Sequence, residues 1–283
     1  MTTSGCSEIW ENDPDFDYDN LLDYFDTLSM VTINKKLKDN EPFSYVRLGD
    51  LEWRIMIHDR GNGEHFSIPG MRQDLLDLLS SSYIANEVNN DRFYVSFSNK
   101  LFRTKHVYDE ALQIIQDSKM DYKFVDSDVF NEMLRYTAPL YMEFLDIMKT
   151  KNVVMIKNQV MVDNFSPNIW TCFAAVVIPK KNCYIKYNDI YSAIEQIISD
   201  NPTEQFVFMF SASATAPILI ADLHVTYGDK HTFIDMGSFF DFFGGYASRT
   251  PFICAKDFYF DTYTDCMIVP SVDDVLDMSP SFA

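Results

Sequence analysis

The alternation of short apolar segments with segments of helical periodicity is the feature that most restricts how this chain can fold. The apolar segments are uninterrupted, as in strands covered on both faces, and the segments between them repeat apolar residues at helical spacing. This order predicts an α/β fold with a mainly parallel sheet flanked by helices. Predicted strands are 43–48, 93–97, 153–156, 174–178, 206–210 and 232–235, and predicted helices are 20–38, 51–58, 71–82, 107–116, 133–148, 190–198 and 216–224.

The length of the chain suits one large domain. It has 283 residues, 47% of them hydrophobic, so a sizeable core can form. We find no internal repeat and no low-complexity linker. We expect an acidic N-terminal segment over 1–30, packing on or preceding the domain, a single α/β domain over 31–270, and a C-terminal tail over 271–283.

The charge of the chain is strongly and unevenly negative. Its net charge is −19, and residues 8–26 hold many acidic side chains without a single Lys or Arg. A solvated acidic face that keeps the protein soluble is the simplest interpretation of that segment. The charge also argues against a protein that is held to nucleic acid mainly through phosphate contacts.

The sequence contains no signal for a membrane or an oxidising compartment. No apolar run approaches the roughly 20 residues needed to cross a bilayer, and the N-terminus does not resemble a signal peptide. The five cysteines are scattered, odd in number and form no C-x-x-C pair. We therefore expect a cytoplasmic protein with free thiols, in a bacterium or, if the source is viral, in the host cell, and no membrane partner.

Two carboxylates, Asp50 and Glu52, follow the first of these predicted strands. Hard cations such as Mg²⁺ or Mn²⁺ prefer oxygen ligands, and they often take one or two protein carboxylates together with substrate phosphates. Arg47, just before this pair, could donate two hydrogen bonds to a phosphate. A structural alternative is equally open, with Asp50 as a helix N-cap and Glu52 as a first-turn acid that complements the helix dipole.

Three further polar segments stand at the ends of predicted strands. Lys181 and Asn182 could contact a nucleotide, and the small residues of 211–216 would let the backbone approach a phosphate. Asp235 could bind a ribose or sugar hydroxyl, and Gly237 permits a tight turn. The alternatives are a surface loop, a β-α turn that needs no ligand, and an Asx-type turn.

Taken together and in this order, the four segments resemble the motifs of the GT-D-type glycosyltransferases. The resemblance covers about residues 40–245. It implies a Rossmann-like fold, a catalytic role for the α/β domain, a nucleotide-sugar donor that is commonly UDP-glucose, and Mn²⁺ or Mg²⁺ held by the D-x-E carboxylates. The family's R-F-G-D-G-E stands here as Arg47 to Glu52, P-x-x-N-A-F as Pro179 to Tyr184, G-P-T-A-x-x-L-A-x-D-L as Ser213 to Leu223, and D-x-G-H as Asp235 to Ser238.

The resemblance also suggests roles for individual residues. Asp50 and Glu52 would hold the metal, and Arg47 would add positive charge. An inverting route, which the resemblance does not establish, would also need a base near the acceptor hydroxyl, and Asp241 and Asp235 are the candidates. Donor-binding roles fall on Arg47, Gly49, Lys181, Asn182, Ser213, Thr215, Asp235 and Ser238.

The chain departs from the family pattern at several motif positions. Leu51 replaces the second Gly of the first motif, Ser213-Ala214 replaces Gly-Pro, and Ser238 replaces His. Phenylalanines follow Ser238 where acidic residues are usual. Because the metal carboxylates are kept, we expect these changes to mark an altered sugar or acceptor pocket, with burial in the core as the alternative for the aromatic rings. These phenylalanines are Phe239, Phe240, Phe242 and Phe243.

The acceptor and the activity have alternatives. The acceptor hydroxyl would belong to a saccharide or to a glycan on protein, or to a hydroxymethylated base in DNA of the kind that some viruses carry. A binding module for nucleotide sugars without turnover, or a metal-dependent phosphohydrolase, would use the same residues. The chain could form a homodimer. The five histidines show no paired spacing, so we expect surface or core positions for them.

Overall fold

The centre of the protein is a parallel β-sheet. The computed structural model describes residues 25–26, 28–61, 67–97, 105–118, 124–126, 129–130, 138–165, 167–239, 241–247, 256–269 and 271–277. Within these ranges the sheet has eight strands in the order β1-β4-β3-β2-β8-β7-β5-β6, and each pair is parallel. The predicted α/β architecture is confirmed. The strands are β1 (Phe25–Asp26), β2 (Ser44–Leu48), β3 (Phe93–Phe97), β4 (Phe124–Asp126), β5 (Asn152–Asn158), β6 (Cys172–Ile178), β7 (Phe206–Phe210) and β8 (Thr232–Asp235).

Helices cover both faces of the sheet. They are α1 (Met30–Lys38), α2 (Asp50–His58), α3 (Met71–Ser80), α4 (Ser82–Asn89), α5 (Lys105–Ser118), α6 (Ala138–Met148), α7 (Gln159–Asp163), α8 (Tyr187–Asp200), α9 (Thr215–Tyr227) and α10 (Lys256–Tyr263), with 3₁₀ turns at Cys183–Lys186, Thr264–Cys266 and Val272–Asp274. One apolar core lies between the sheet and α2, α3, α4, α8 and α9, and a second lies under α1, α6 and the chain that follows β8. This covering explains why the strands are apolar on both faces.

Two helix predictions need correction at capping serines. The predicted helix 20–38 begins at Met30, because Ser29 is its N-cap and accepts a hydrogen bond from the Thr32 N–H, and part of the preceding chain is strand β1. The predicted helix 71–82 ends at Ser80, because Ser81 is extended and caps a new helix, α4. Strands β1 and β4 were not predicted, since two or three residues are too few to show a period.

The C-terminal part returns to the segment after β8. Strand β9 (Tyr246–Ala247) pairs in parallel with β10 (Leu276–Asp277), which lies in the predicted tail. Most of the predicted acidic segment 1–30 lies outside the described residues. Among the described helices, none combines the length and apolarity that a membrane span requires.

The strand order creates a crevice at one edge of the sheet. After β5 the chain moves outward to β6, whereas after β7, on the other side of β5, it moves toward β8 and the centre. Adjacent strands that lead the chain in opposite directions leave an opening beyond their carboxyl ends, where ligands bind in open α/β sheets. The carboxyl ends of β2, β8, β7, β5 and β6 all meet at that edge.

Candidate active site

A cleft of about 250 Å³ opens beyond these carboxyl ends. Loops at the ends of five strands contribute to this cleft, so residues that are far apart in sequence line it together. It is lined by Arg47, Gly49, Asp50, Leu51, Glu52, Lys157, Asn158, Lys180, Cys183, Ser211, Ala212, Ser213, Asp235, Gly237, Ser238 and Asp241. The predicted residues Arg47, Gly49, Asp50, Glu52, Ser213, Asp235, Ser238 and Asp241 are all among them.

The D-x-E pair lies in the first turn of α2. Gly49 is the N-cap of this helix, and its N–H donates to Glu52 Oε2 over 2.8 Å, as in a capping box. The predicted alternative is therefore wrong for Asp50, which is not the N-cap, and correct for Glu52, which does satisfy the helix end. Asp50 is exposed and Glu52 is buried, yet both line the cleft. Leu51 is buried inside the helix, where no special backbone freedom is needed.

The buried carboxylates of the cleft have raised pKa values. Burial raises the pKa of Glu52 to about 7, and the nearby Asp235 and Asp50 add to the shift. Burial likewise raises the pKa of Asp235 to about 6, although the Arg47 guanidinium opposes this change. Burial therefore disfavours the charged form of both carboxylates. Perturbed pKa values of this kind are common at functional sites.

Arg47 is held against a tight turn after β8. The Gly237 N–H donates to Asp235 Oδ1 over 3.0 Å, and Gly237 has the left-handed φ of +51°. A Cβ at this position would lie 1.7 Å from Arg47 Nη1. Two separate reasons therefore favour glycine at this position: its positive φ, and the close approach of the Arg47 guanidinium. The predicted tight turn at Gly237 is confirmed.

Lys157 is a residue of the cleft that the sequence did not predict. It lies in β5, its side chain is 2% exposed, and its Nζ is 3.3 Å from Asp241 Oδ1. Burial lowers the pKa of Lys157, and Asp241 opposes that change. A lysine directly after the apolar run 153–156 was the available signal, because a charged residue at the end of a buried strand needs a partner or a ligand.

Three predicted donor-binding residues lie off the cleft wall. Thr215 is buried as the first residue of α9, Lys181 is exposed, and Asn182 precedes a 3₁₀ turn with φ of +55°. Nearby residues of the same loops, Lys180, Cys183 and Ser213, line the cleft instead. Residue type alone does not show in which direction the backbone turns within a loop. Besides Lys157, the sequence analysis gave no role to the cleft residues Asn158, Lys180 and Cys183, whereas Ser211 and Ala212 belong to the small-residue segment 211–216 that it did predict.

Three of the four phenylalanines after Ser238 belong to the core and are not among the residues that line the cleft. Phe239, Phe242 and Phe243 are buried in the core under α6, where Phe239 stacks on Tyr141 at 5.7 Å between ring centroids. The expectation that these rings form a sugar or acceptor pocket is wrong for these three, because the segment after β8 covers the sheet and needs apolar side chains. Phe240 lies outside the described residues, and Ser238 does line the cleft.

Two histidines of the described residues, His224 and His231, have structural contacts in the core. His224 is fully buried, and its Nδ1 lies 2.9 Å from Ser44 Oγ at the start of β2. His231 accepts the Phe206 N–H at Nδ1, and burial lowers its pKa to about 4. The expectation of core positions is confirmed for these two, and His58 is exposed as expected for a surface residue.

A divalent metal would have two protein ligands in this cleft. Within the described ranges, no three His, Cys, Asp or Glu side chains form a group that could hold a metal ion. Asp50 and Glu52 nevertheless both line the cleft, and Mg²⁺ or Mn²⁺ often completes its shell with substrate phosphates and water. The donor set therefore fits a hard cation that binds together with a phosphorylated ligand.

Comparison with known proteins identifies a related fold. The structure resembles that of a glycosyltransferase (DUF1792) from Streptococcus sanguinis, with a TM-score of 0.57 and 15% sequence identity over 76% of this chain and 82% of that chain. No protein-family profile and no curated protein sequence matches the chain. The fold that the motif resemblance implied is confirmed.

Proposed function

We propose that this chain, which has the fold of a glycosyltransferase, is itself a GT-D-type glycosyltransferase that uses a nucleotide-sugar donor and a divalent metal. The observation that carries the proposal is the cleft at the carboxyl ends of the strands. Arg47, Asp50, Glu52, Asp235 and Ser238 come from two different motifs and line this one cleft. The motif resemblance assigns the same residues to donor and metal binding.

The chemistry requires negative charge to be stabilised as the donor breaks. The bond between the anomeric carbon and the diphosphate oxygen is cleaved, and the diphosphate leaves with the bonding electrons. A metal on Asp50 and Glu52 would supply charge neutralisation for this leaving group. Arg47, fixed against Gly237, would add a cation whose position requires no reorganisation during the reaction.

The acceptor hydroxyl oxygen would form the new bond to the anomeric carbon, and its proton would pass to a carboxylate of the cleft. Asp235 and Asp241 both line it, and Asp241 is the more accessible, with 21% of its side chain exposed. We propose Asp241 as the base for this reason. We also propose a saccharide or protein-linked glycan as acceptor, since a net charge of −19 disfavours a DNA backbone.

Donor binding in the presence and absence of metal tests the proposal. UDP-glucose and other UDP-sugars should raise the melting temperature of the protein when Mn²⁺ is present, and less without it. Asp50→Asn should abolish the metal-dependent part and reduce donor hydrolysis by about two orders of magnitude or more. Asp50 is exposed, so the fold should survive.

The matched control is Asp77→Asn, which makes the same change at an exposed position of α3, away from the cleft. This variant should bind and hydrolyse the donor as the wild type does. Equal hydrolysis by wild type and Asp50→Asn at saturating donor would refute the metal assignment. Binding of nucleotide sugars without any hydrolysis or transfer would favour the binding-module alternative.

A further inference from the structure

Lys157 stands out as a buried ammonium group at the end of an apolar strand. Its side chain is 2% exposed, and the four residues before it in β5 are buried and apolar. Sheet packing alone favours an apolar residue at such a position, because a buried charge is costly unless it is paired. The buried ammonium group therefore needs a partner of opposite charge, and the Asp241 carboxylate is one such partner.

The position of Lys157 relates it to the loop after β7. The Ser211 N–H donates to the Ile156 carbonyl over 2.9 Å, so the turn 211–213 begins directly beside Lys157. Lys157, Ser211 and Ser213 line the same cleft. By strand order, they occupy the β5–β7 end of the cleft, whereas Asp50 and Glu52 follow β2 at the other end.

The cleft contains charges of both signs. Asp50, Glu52 and Asp235 lie at the β2–β8 end together with Arg47, and the buried Lys157 lies at the β5–β7 end against Asp241. Lys157 is thus a buried cation of the cleft that suits an anion. Lys180, which also lines the cleft, is exposed, and its charge is screened by water. A buried ammonium interacts more strongly with an anion than an exposed one does, because little solvent screens it.

We infer that Lys157 binds the diphosphate of the nucleotide-sugar donor directly, and that Asp241 holds its ammonium group in place in the absence of donor. The inference rests on the proposed function and names the residue that binds the charged leaving group. Ammonium hydrogen bonds to phosphate oxygens are charge-assisted and strong. When the diphosphate takes over the ammonium, Asp241 is released to face the acceptor. Lys157 is therefore a donor-binding residue with its own phosphate contact, separate from the metal carboxylates.

Binding of UDP and of uridine tests this inference, because the two ligands differ by the diphosphate. With Mg²⁺ in excess, calorimetry should show that Lys157→Met raises the Kd of UDP by about tenfold or more. The Kd of uridine should stay within about twofold, since a purely structural defect would weaken both ligands alike. Lys157→Arg should recover part of the affinity for UDP.

Two further variants separate the possible outcomes. The exposed Lys186→Met, outside the cleft, should bind UDP as the wild type does. If Lys157→Met does not fold, the double variant Lys157→Met with Asp241→Asn removes both charges of the pair and should fold while still losing UDP affinity. Asp241→Asn alone should keep or tighten UDP binding while reducing transfer.

The results also distinguish this inference from the proposed function. Unchanged UDP affinity in Lys157→Met or in the double variant would overturn the role of Lys157 and leave the glycosyltransferase proposal standing. A wild-type protein that binds none of UDP, GDP, ADP and TDP would overturn both. A parallel loss of uridine and UDP affinity would assign Lys157 to structure alone.

Discussion

At the scale of single residues, the turn after β8 shows how one glycine can position a cationic side chain of the cleft. Gly237 has a positive φ, its N–H bonds to Asp235, and its missing Cβ leaves space for Arg47. Asp235, Gly237 and Arg47 therefore form one unit. A change at Gly237 should act on the arginine even though glycine itself has no functional group.

Gly237→Ala should lower donor hydrolysis by at least about tenfold, because the new methyl group would displace the Arg47 guanidinium from its position. Steady-state kinetics on the purified variant would measure this. Gly70→Ala is the control, since Gly70 also has a positive φ of +94° but lies outside the cleft. Both variants should lose stability. Equal activity in the two would contradict the role of Gly237.

Glu52 leads to a prediction about pH. Its pKa is raised from 4.5 to about 7 in the fold, so the folded protein keeps a proton that the unfolded chain releases above pH 4.5. The stability contributed by this proton is complete below pH 4.5 and is lost as pH rises through 7. In metal-free buffer at pH about 8, Glu52→Gln should therefore be more stable than the wild type by about 2–3 kcal/mol.

Urea unfolding with a chelator present would measure this difference. At pH about 4.5, Glu52 is protonated in the folded protein and about half protonated in the unfolded chain, so the free energies of unfolding of the two proteins should differ by only about 0.4 kcal/mol. The amide oxygen can accept the Gly49 N–H as the carboxylate does, so the helix cap is kept. If the variant is less stable than the wild type at both pH values, burial does not destabilise the charged carboxylate of Glu52.

At the scale of elements, the turn between β7 and α9 contains a backbone conformation that its residue does not favour. Ser213 has φ of +52°, in the region where a side chain is costly and glycine is preferred. The resembling family has glycine at this motif position. The left-handed φ of Ser213 is one that glycine would adopt without strain, in agreement with the glycine of the motif.

Ser213→Gly should raise the free energy of unfolding by about 0.5–1 kcal/mol, because relief of the strained φ outweighs the added freedom of the unfolded chain. Thermal or denaturant unfolding would test this. Ser211→Gly is a matched control in the same turn. Ser211 is not among the residues of positive φ, so its replacement should destabilise the protein. Stabilisation of both variants would argue against strain at Ser213.

At the scale of the whole molecule, the dominant property is charge. With 42 acidic and 23 basic residues, the protein repels itself electrostatically in its compact state. Added salt shortens the distance over which charges interact, from about 30 Å at 0.01 M to about 10 Å at 0.1 M. The cleft is embedded in this negative field, which favours the approach of a divalent cation.

The melting temperature should therefore rise by a few degrees as NaCl increases from about 10 to about 200 mM at pH 8. Differential scanning calorimetry would measure it. Near the isoelectric point of about 4.5 the same addition should have little effect, since the net charge vanishes there. A salt effect of equal size at both pH values would show that it does not arise from net charge.

The sequence alone determined the layered α/β architecture, the approximate positions of six of the eight described sheet strands and one group of cleft residues. Continuous apolar runs that alternate with amphipathic segments favour a parallel sheet with helices on both faces. The pattern is visible in short stretches of sequence, so the architecture could be predicted from it. Arg47, Asp50 and Glu52 could be predicted because a compact motif at a strand end keeps its residues together. The same holds for Asp235 and the turn at Gly237.

Tertiary structure alone decided which distant residues meet. Lys157 and Asp241 belong to different elements, and they pair only because the order of strands carries the segment after β8 across the end of β5. That order results from packing of the whole sheet, and no local period encodes it. For the same reason Phe239 is part of the core and Glu52 has its raised pKa. Burial depends on the complete fold, and the sequence alone indicates only which side chains tend to be buried.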